Sequence, residues 1–361
     1  MKKVKVAVVF GGRSGEHEVS LVSASSVIKA LRSGKNAEKY EVAEVGIDKS
    51  GKWLTGENCL QKFKSEDTSE LEEIHFSTDP GHHKIDIAFP VLHGPFGEDG
   101  TIQGLFEMLQ IPYVGCNVLA SATAMDKLQC KAIWQAARLP VGPYLGFSRK
   151  EFEENTEGVM KCILEELGLP CFVKPANLGS AVGVSKAKTE EELLVALKEA
   201  AKYDRRLVAE KAINAREIEC AVLGNEDAVV SPPGEVIVGG EFYDYYDKYV
   251  HGVSKTEVPA DLEEETAEKI REMALLAYKS LDCSGLGRVD FFLDRDDGKV
   301  YLNEINTMPG FTSISMYPKL MEDYGVNYES LVDKLIVFGL EMFEERQKNK
   351  VEFDSGSDWY S

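Results

Sequence analysis

The residues with the clearest chemical potential lie between Arg288 and Gly310, in the stretch RVDFFLDRDDGKVYLNEINTMPG. Two apolar-rich runs, 289–293 and 299–305, flank Arg295-Asp296-Asp297-Gly298, and an Asp-Gly turn between β-prone runs predicts a hairpin. Side chains alternate along a strand, so Arg288 shares a face with Asp290, and Glu304 shares one with Asn306. A turn centred near Asp297 sets Asp290 opposite Glu304. Two carboxylates and an amide oxygen then form one patch beside Arg288. In a half-buried sheet such a patch needs a positive partner, and hard oxygen ligands of this kind suit Mg²⁺ shared with nucleotide phosphates. Asp296 and Asp297 read instead as a solvated turn.

Other stretches could supply the rest of such a site. In CFVKPANLGSAVGVSKA, a glycine- and serine-containing loop between strands offers backbone N–H groups to phosphate oxygens, and Lys174 adds a point charge. The GxxxxGK[ST] spacing is missing, so this is not a P-loop. In LVAEKAI, main-chain carbonyls could read an adenine amine, while Glu210, on what reads as an edge segment, could accept from ribose hydroxyls. Residues 241–258 are polar and aromatic without a period, as in a lid, and carry Lys248 beside Tyr249. Glu16 and Glu18 stand at a helix entrance, where they could cap the helix or hold an ammonium group. His93 lies in the loop HGPFGEDG, with either a structural or a substrate role.

These groups need a scaffold, and the periodicity provides one. Strands are expected at 4–10, 40–47, 85–91 and 206–213, and helices from the glycine loop to residue 31 and at 100–109, 125–137, 189–203, 262–281 and 328–346. Repeated strand–loop–helix units at the start indicate an open parallel α/β sheet with its functional loops on one edge. With 361 residues, two or three domains are expected. A net charge of −20 repels phosphate backbones, so nucleic acid is a poor partner. Seven dispersed cysteines without a CxxC pair predict reduced thiols rather than disulfides or zinc ligands. No run approaches a membrane span, and a cytoplasmic location is expected.

The motifs FGGRSGEHEVS, HGPFGEDGTIQG, VGCNVLASATAMDK, FVKPANLGSAVGVSK, EIECAVLG, FYDYYDKY, GLGRVDFF and NEINTMPGFTSISMYPKL, in this order, resemble those of the D-alanine–D-alanine ligases of the ATP-grasp superfamily. The likeness runs from about residue 5 to near Arg346. It implies an N-terminal α/β substrate domain (1–123), a central ATP-grasp subdomain (124–212) and a C-terminal one (213–346), with lid 241–258, hairpin 288–310 and a loose tail, 347–361. Lys127, Lys174 and Lys248 would contact ATP phosphates. Glu210, Ile213 and Glu217 would bind adenosine, with Phe292 packed on the base. Asp290, Glu304 and Asn306 would hold two Mg²⁺ or Mn²⁺ ions. Glu16 would take the ammonium of the first D-alanine, in a network with Ser180 and Tyr249. His93, Arg288 and the Gly310 N–H would line the reacting carboxylates, and Ser315 and Met316 would border the second substrate. One departure is Ala181, where many members carry a second serine.

The implied reaction forms an acyl phosphate on one D-alanine, which the amine of a second attacks to give D-alanyl-D-alanine for peptidoglycan. The alternatives are a D-serine- or D-lactate-using ligase of the same family, or a non-catalytic nucleotide-binding scaffold. A homodimer is implied as well. The base that deprotonates the amine is either Tyr249 acting through Ser180 or His93. If the Tyr249 phenol, linked to Glu16, favours an amine over a hydroxy acid, Tyr249→Phe should lose discrimination against D-lactate at neutral pH. Comparing both acceptors in the variant tests this, and unchanged discrimination removes the idea.

Overall fold

In the computed structural model, which describes residues 2–76, 84–179, 181–237 and 255–351, the chain opens as the periodicity predicts. Strand β1 (Val4–Gly11) is followed by α1 (His17–Leu31), α2 (Asn36–Lys39), β2 (Tyr40–Ile47), β3 (Trp53–Thr55), α3 (Cys59–Lys64), β4 (Glu72–Glu73), β5 (Ile87–Pro90) and α4 (Thr101–Met108). Val6 and Val8 face α1, while Ala7 and Val9 face α4, which explains the unbroken apolar run. The sheet order is β4-β3-β2-β1-β5, and only β2-β1-β5 is parallel. The expected parallel sheet is therefore mixed. A tight turn, closed by Asp48 N–H donating to Lys52 O at 2.9 Å, reverses the chain into antiparallel β3, and β4 follows it.

Helices α5 (Val118–Met125) and α6 (Lys127–Ala136) come next. Helix α5 was not expected, and the helix expected at 125–137 starts instead at Lys127, after the cap Asp126. Asn117 and Asp126 cap the two helices by accepting from Ala120 N–H and Gln129 N–H. The central sheet is built from β6 (Tyr144–Ser148), α7 (Arg149–Glu154), α8 (Thr156–Glu166), β7 (Cys171–Pro175), β8 (Ser185–Ala187), α9 (Glu190–Tyr203) and β9 (Arg206–Lys211). Its order is β6-β9-β7-β8, antiparallel throughout. Glu210 thus stands on an interior strand, not the expected edge, in keeping with the burial of Leu207, Val208 and Ala209 beside it.

The remainder comprises β10 (Ala215–Leu223), β11 (Val229–Val230), β12 (Gly234–Ile237), β13 (Lys255–Glu257), α10 (Glu264–Ser280), β14 (Leu286–Asp294), β15 (Val300–Asn306), α11 (Met316–Asp323) and α12 (Tyr328–Gln347). Strands run β13-β12-β10-β14-β15, with β11 on β10. The β14–β15 hairpin has the expected register, with Asp290 opposite Glu304 and Arg288 opposite Asn306. A β-bulge follows Asp290, so that Phe291 pairs with Leu302. Strand β13 occupies part of the expected lid. Residues 241–254 of that lid, Lys248 and Tyr249 among them, lie outside the described residues, as do Ser180 and the tail from 352.

The hydrophobic cores do not follow chain order. Ala120 and Trp134 pack with Ile218, Tyr278 and Phe291 of the C-terminal sheet, whereas Leu331, Leu335 and Ile336 of α12 share a core with Val6, Val8 and Leu21. Helix α12, expected with the C-terminal portion, therefore roofs the first sheet. All seven cysteines are free, and among the described residues no helix is long and apolar enough to cross a membrane. Leu335 is fully buried beneath this roof, so Leu335→Ala should cost about 2–5 kcal/mol in urea unfolding. A loss below about 1 kcal/mol would show that α12 is dispensable to that core.

Candidate active site

Two adjoining cavities of about 660 and 590 Å³ open where the sheets meet. Lys127, Glu219, Arg288 and Glu304 line both, so the cavities share a charged wall. Lys174, Glu210, Ile213, Glu217, Asp290 and Phe292 line the larger one. Glu16, His93, Asn306, Gly310, Ser315 and Met316 line the smaller one. Every sequence-predicted site residue within the described chain therefore borders one cavity or the other.

The wall is built on the hairpin. Arg288 donates through Nε and Nη2 to the two Asp290 oxygens, each at 2.7 Å, and its Nε lies 2.9 Å from Glu219 Oε2. Asn306 Nδ2 donates to Asp290 Oδ2 at 3.0 Å. Burial alone would weaken the Arg288 charge, but Asp290 and Glu219 outweigh it and hold the guanidinium firmly protonated. Glu217 and Phe292 are cross-strand partners on β10 and β14, which sets a carboxylate and an aromatic ring side by side. Ala181, with φ +55°, lines the larger cavity in the left-handed region, so the loop keeps that turn without a second serine.

The cations come from α6 and β7. Lys127 Nζ donates to Leu178 O at 2.8 Å and lies 3.8 Å from Glu304. Burial, aided by nearby Lys174 and Lys131, lowers its pKa despite Glu304. Lys174 sits 2.5 Å from Glu210 Oε2, while Lys131 sits 2.9 Å from Oε1. Burial would raise the Glu210 carboxyl, yet the two ammonium groups win and hold it well below the usual carboxylate range. Lys131 was not singled out from sequence. Its position four residues after Lys127 on α6, hence on the same helix face, was the available signal.

The smaller cavity is framed by the loops after β1 and β5. Ser14 donates to His93 O at 2.7 Å, and a Cβ added at Gly94 would meet Glu16 Oε2 at 2.5 Å. Gly94 also has φ +73°, so two constraints demand glycine there. His93 Nδ1 lies 3.1 Å from Met308 O, and Nε2 lies 3.0 Å from Ser23 Oγ. The carbonyl can only accept, so Nδ1 carries the proton and Nε2 accepts from Ser23. Burial lowers the His93 pKa below its ordinary value, leaving a neutral ring. Glu98, a second group that sequence reasoning missed, accepts from Gly94 N–H at 2.8 Å. Burial first, then Glu16 and Glu304, push its carboxyl up to about 8. It lay in the GEDG segment already quoted, five residues after His93.

The Glu98 carboxyl is raised mainly by burial and by Glu16, with Glu304 adding less and Arg288 opposing it. The donor set of Asp290, Glu304 and Asn306 offers only hard oxygens beyond the amide N–H₂, and carboxylate oxygens accept more than one partner. The donor chemistry of these three residues fits a divalent cation at this patch.

Two family models match the chain: "D-ala D-ala ligase N-terminus" over residues 5–116 and "D-ala D-ala ligase C-terminus" over residues 133–337. The chain is 50% identical to the D-alanine–D-alanine ligase of Acetivibrio thermocellus, across 96% of this chain and 98% of that protein. It is 47% identical to the Heliobacterium modesticaldum enzyme of the same name, across 98% and 99%. Its fold is similar to the D-alanine–D-alanine ligase structure from Coxiella burnetii, with a TM-score of 0.85 and 36% identity over 96% of this chain and 97% of that one. A D-Ala:D-Ser ligase from Enterococcus faecalis gives a TM-score of 0.84 and 37% identity over 94% of this chain and 100% of that one.

Glu98 also makes a stability prediction. Its folded pKa lies above the unfolded one, so the folded state binds the extra proton, and stability falls as pH rises from about 4.5 to 8. Glu98→Gln should flatten this part of the melting-temperature profile. An unaltered slope would place the proton elsewhere.

Proposed function

We infer that the chain, which belongs to the D-alanine–D-alanine ligase family, is an ATP-dependent ligase that joins two D-alanine molecules for peptidoglycan synthesis. The observation that carries this reading to the residues is the shared wall: one set of charged side chains borders both a nucleotide-sized cavity and a smaller one beside it. A phosphoryl donor in the first and an amino acid in the second would meet at Arg288 and Glu304.

The family resemblance suggests the roles, and the placement of the described residues supports them. Lys127 and Lys174 neutralise nucleotide phosphates, joined by Lys248 from the loop. Glu210, Ile213, Glu217 and Phe292 surround adenosine. Asp290, Glu304 and Asn306 hold two Mg²⁺ or Mn²⁺ ions, which supply charge neutralisation to the phosphates when bound. Glu16 takes the ammonium of the first D-alanine. The carboxylate of that molecule receives the γ-phosphoryl group, and the amine of the second D-alanine then displaces phosphate from the acyl carbon. Arg288 and the Gly310 N–H stabilise the oxyanion formed in between, and one such donor is worth about 3–4 kcal/mol. Ser315 and Met316 border the acceptor, and Ser180 with Tyr249 completes the network around Glu16. Neutral His93 orients the acceptor pocket through Ser23 and the Met308 carbonyl. The three-part domain division, a homodimeric state and a cytoplasmic site of action belong to the same reading.

A D-serine acceptor is the reading that the Enterococcus faecalis neighbour brings forward, but relatives near 50% identity carry the D-alanine name over their full length. With ATP, Mg²⁺ and D-alanine present throughout, D-serine or D-lactate added at equal concentration should enter the product less than D-alanine does. Preference for D-serine would overturn the acceptor assignment. Asp290→Asn and Glu304→Gln should each lose Mg²⁺-dependent turnover by at least about tenfold while keeping the circular dichroism of the parent. Full activity in either would refute the metal assignment.

A further inference from the structure

Glu210 divides its two oxygens between lysines in unlike surroundings. Lys174 lines the larger cavity, whereas Lys131 does not border it and is 3% exposed. Lys131 springs from α6, points across to Glu210 on β9, and donates to Asn303 O on β15 at 3.3 Å. Its Nζ also lies 5.8 Å from the Tyr144 ring centre on β6. A single ammonium group therefore joins the helix below the C-terminal sheet to both antiparallel sheets.

We propose that Lys131 is a positioning residue which keeps Glu210 neutralised, so that Lys174 is released to the nucleotide phosphates. This rests on the reading above that Lys174 contacts phosphate. In the structure described, the Lys174 ammonium is held 2.5 Å from Glu210, and each of its three N–H donors given to a polyphosphate is one withdrawn from that carboxylate. With no second cation, departure would strand a buried carboxylate, a strongly unfavourable state. Lys131 offsets that penalty because it sits on the other oxygen and does not line the cavity. Asn303 O steadies it in the same place. The two lysines thus have separate tasks: one follows the ligand and the other holds the counter-ion. Glu210 keeps a fixed geometry for adenosine throughout.

The test uses the whole protein and two probes, Mg·ATP and inorganic tripolyphosphate, the second of which has no base or ribose. Binding is read by calorimetry, and KM for ATP and kcat are read separately. Lys131→Met should weaken both probes by about tenfold or more, about 1.4 kcal/mol, and raise KM for ATP while leaving KM for D-alanine unchanged. Lys131→Arg should restore most of the affinity. Removing the carboxyl charge in Lys131→Met/Glu210→Gln should restore tripolyphosphate binding, because nothing then competes for Lys174, and this arm holds even if the single variant folds poorly. The inference is overturned if folded Lys131→Met binds both probes like the parent, if only ATP and not tripolyphosphate is weakened, or if the double variant fails to recover. Lys174→Met separates the two levels. Should it bind tripolyphosphate like the parent, the phosphate role of Lys174 fails; should it bind weakly while Lys131→Met binds normally, only the present inference fails.

Discussion

Arg288 grips Asp290 with two N–H donors and lies 2.9 Å from Glu219, so one guanidinium neutralises carboxylates on adjacent strands β14 and β10. Charges buried this deeply are tolerated only in company. The same demand explains the Glu210 arrangement, where two lysines flank one carboxylate, and the position of Lys127 between a main-chain carbonyl and Glu304. Each pairing ties together elements far apart in sequence, and the seam where they meet becomes the site.

Apolar packing crosses part of that seam, since the core around Val8 also takes in Leu223 and Leu286, but it does not fill all of it. Trp134 and Phe291 belong to the core under the C-terminal sheet, and Leu21 and Val8 to the core under the first. Between them lie surfaces that cannot be filled with apolar side chains because their polar groups need partners. The result is a pair of cavities divided by a charged wall instead of a solid. A phosphate arriving on one side and an amine on the other would each find opposite charge a few ångströms away.

Much of this was legible in the chain. The helices at 17–31 and 328–347 and the strand at 40–47 were marked by periodicity, since each buries one stripe or one run. The facing of Asp290 and Glu304 was legible too, although through compensating departures. Asp294 N–H donates to Lys299 O, which centres the turn half a residue before Asp297, and the bulge at Asn303 makes up the difference. What sequence withheld was mostly long-range. Glu210 looked like an edge residue because nothing local reveals that β6 pairs beyond it. Lys131 and Glu98 were passed over because a charged residue is usually solvated, and only the fold shows these two closed in. Helix α12 read as the end of the last domain, whereas its apolar stripe fits the first sheet.

The bulge carries one more meaning. Along an unbroken strand, Leu302 and Glu304 would project the same way, two residues apart. Here Leu302 is wholly buried, as is nearly all of Ile305, while Glu304 and Asn306 turn to the cleft. Asn303 acts as a parity switch: before it the even-numbered Val300 and Leu302 face the core, and after it the odd-numbered Ile305 does, which frees Glu304 and Asn306 for the cleft. Losing that one residue would swap inside for outside at Glu304, Ile305 and Asn306.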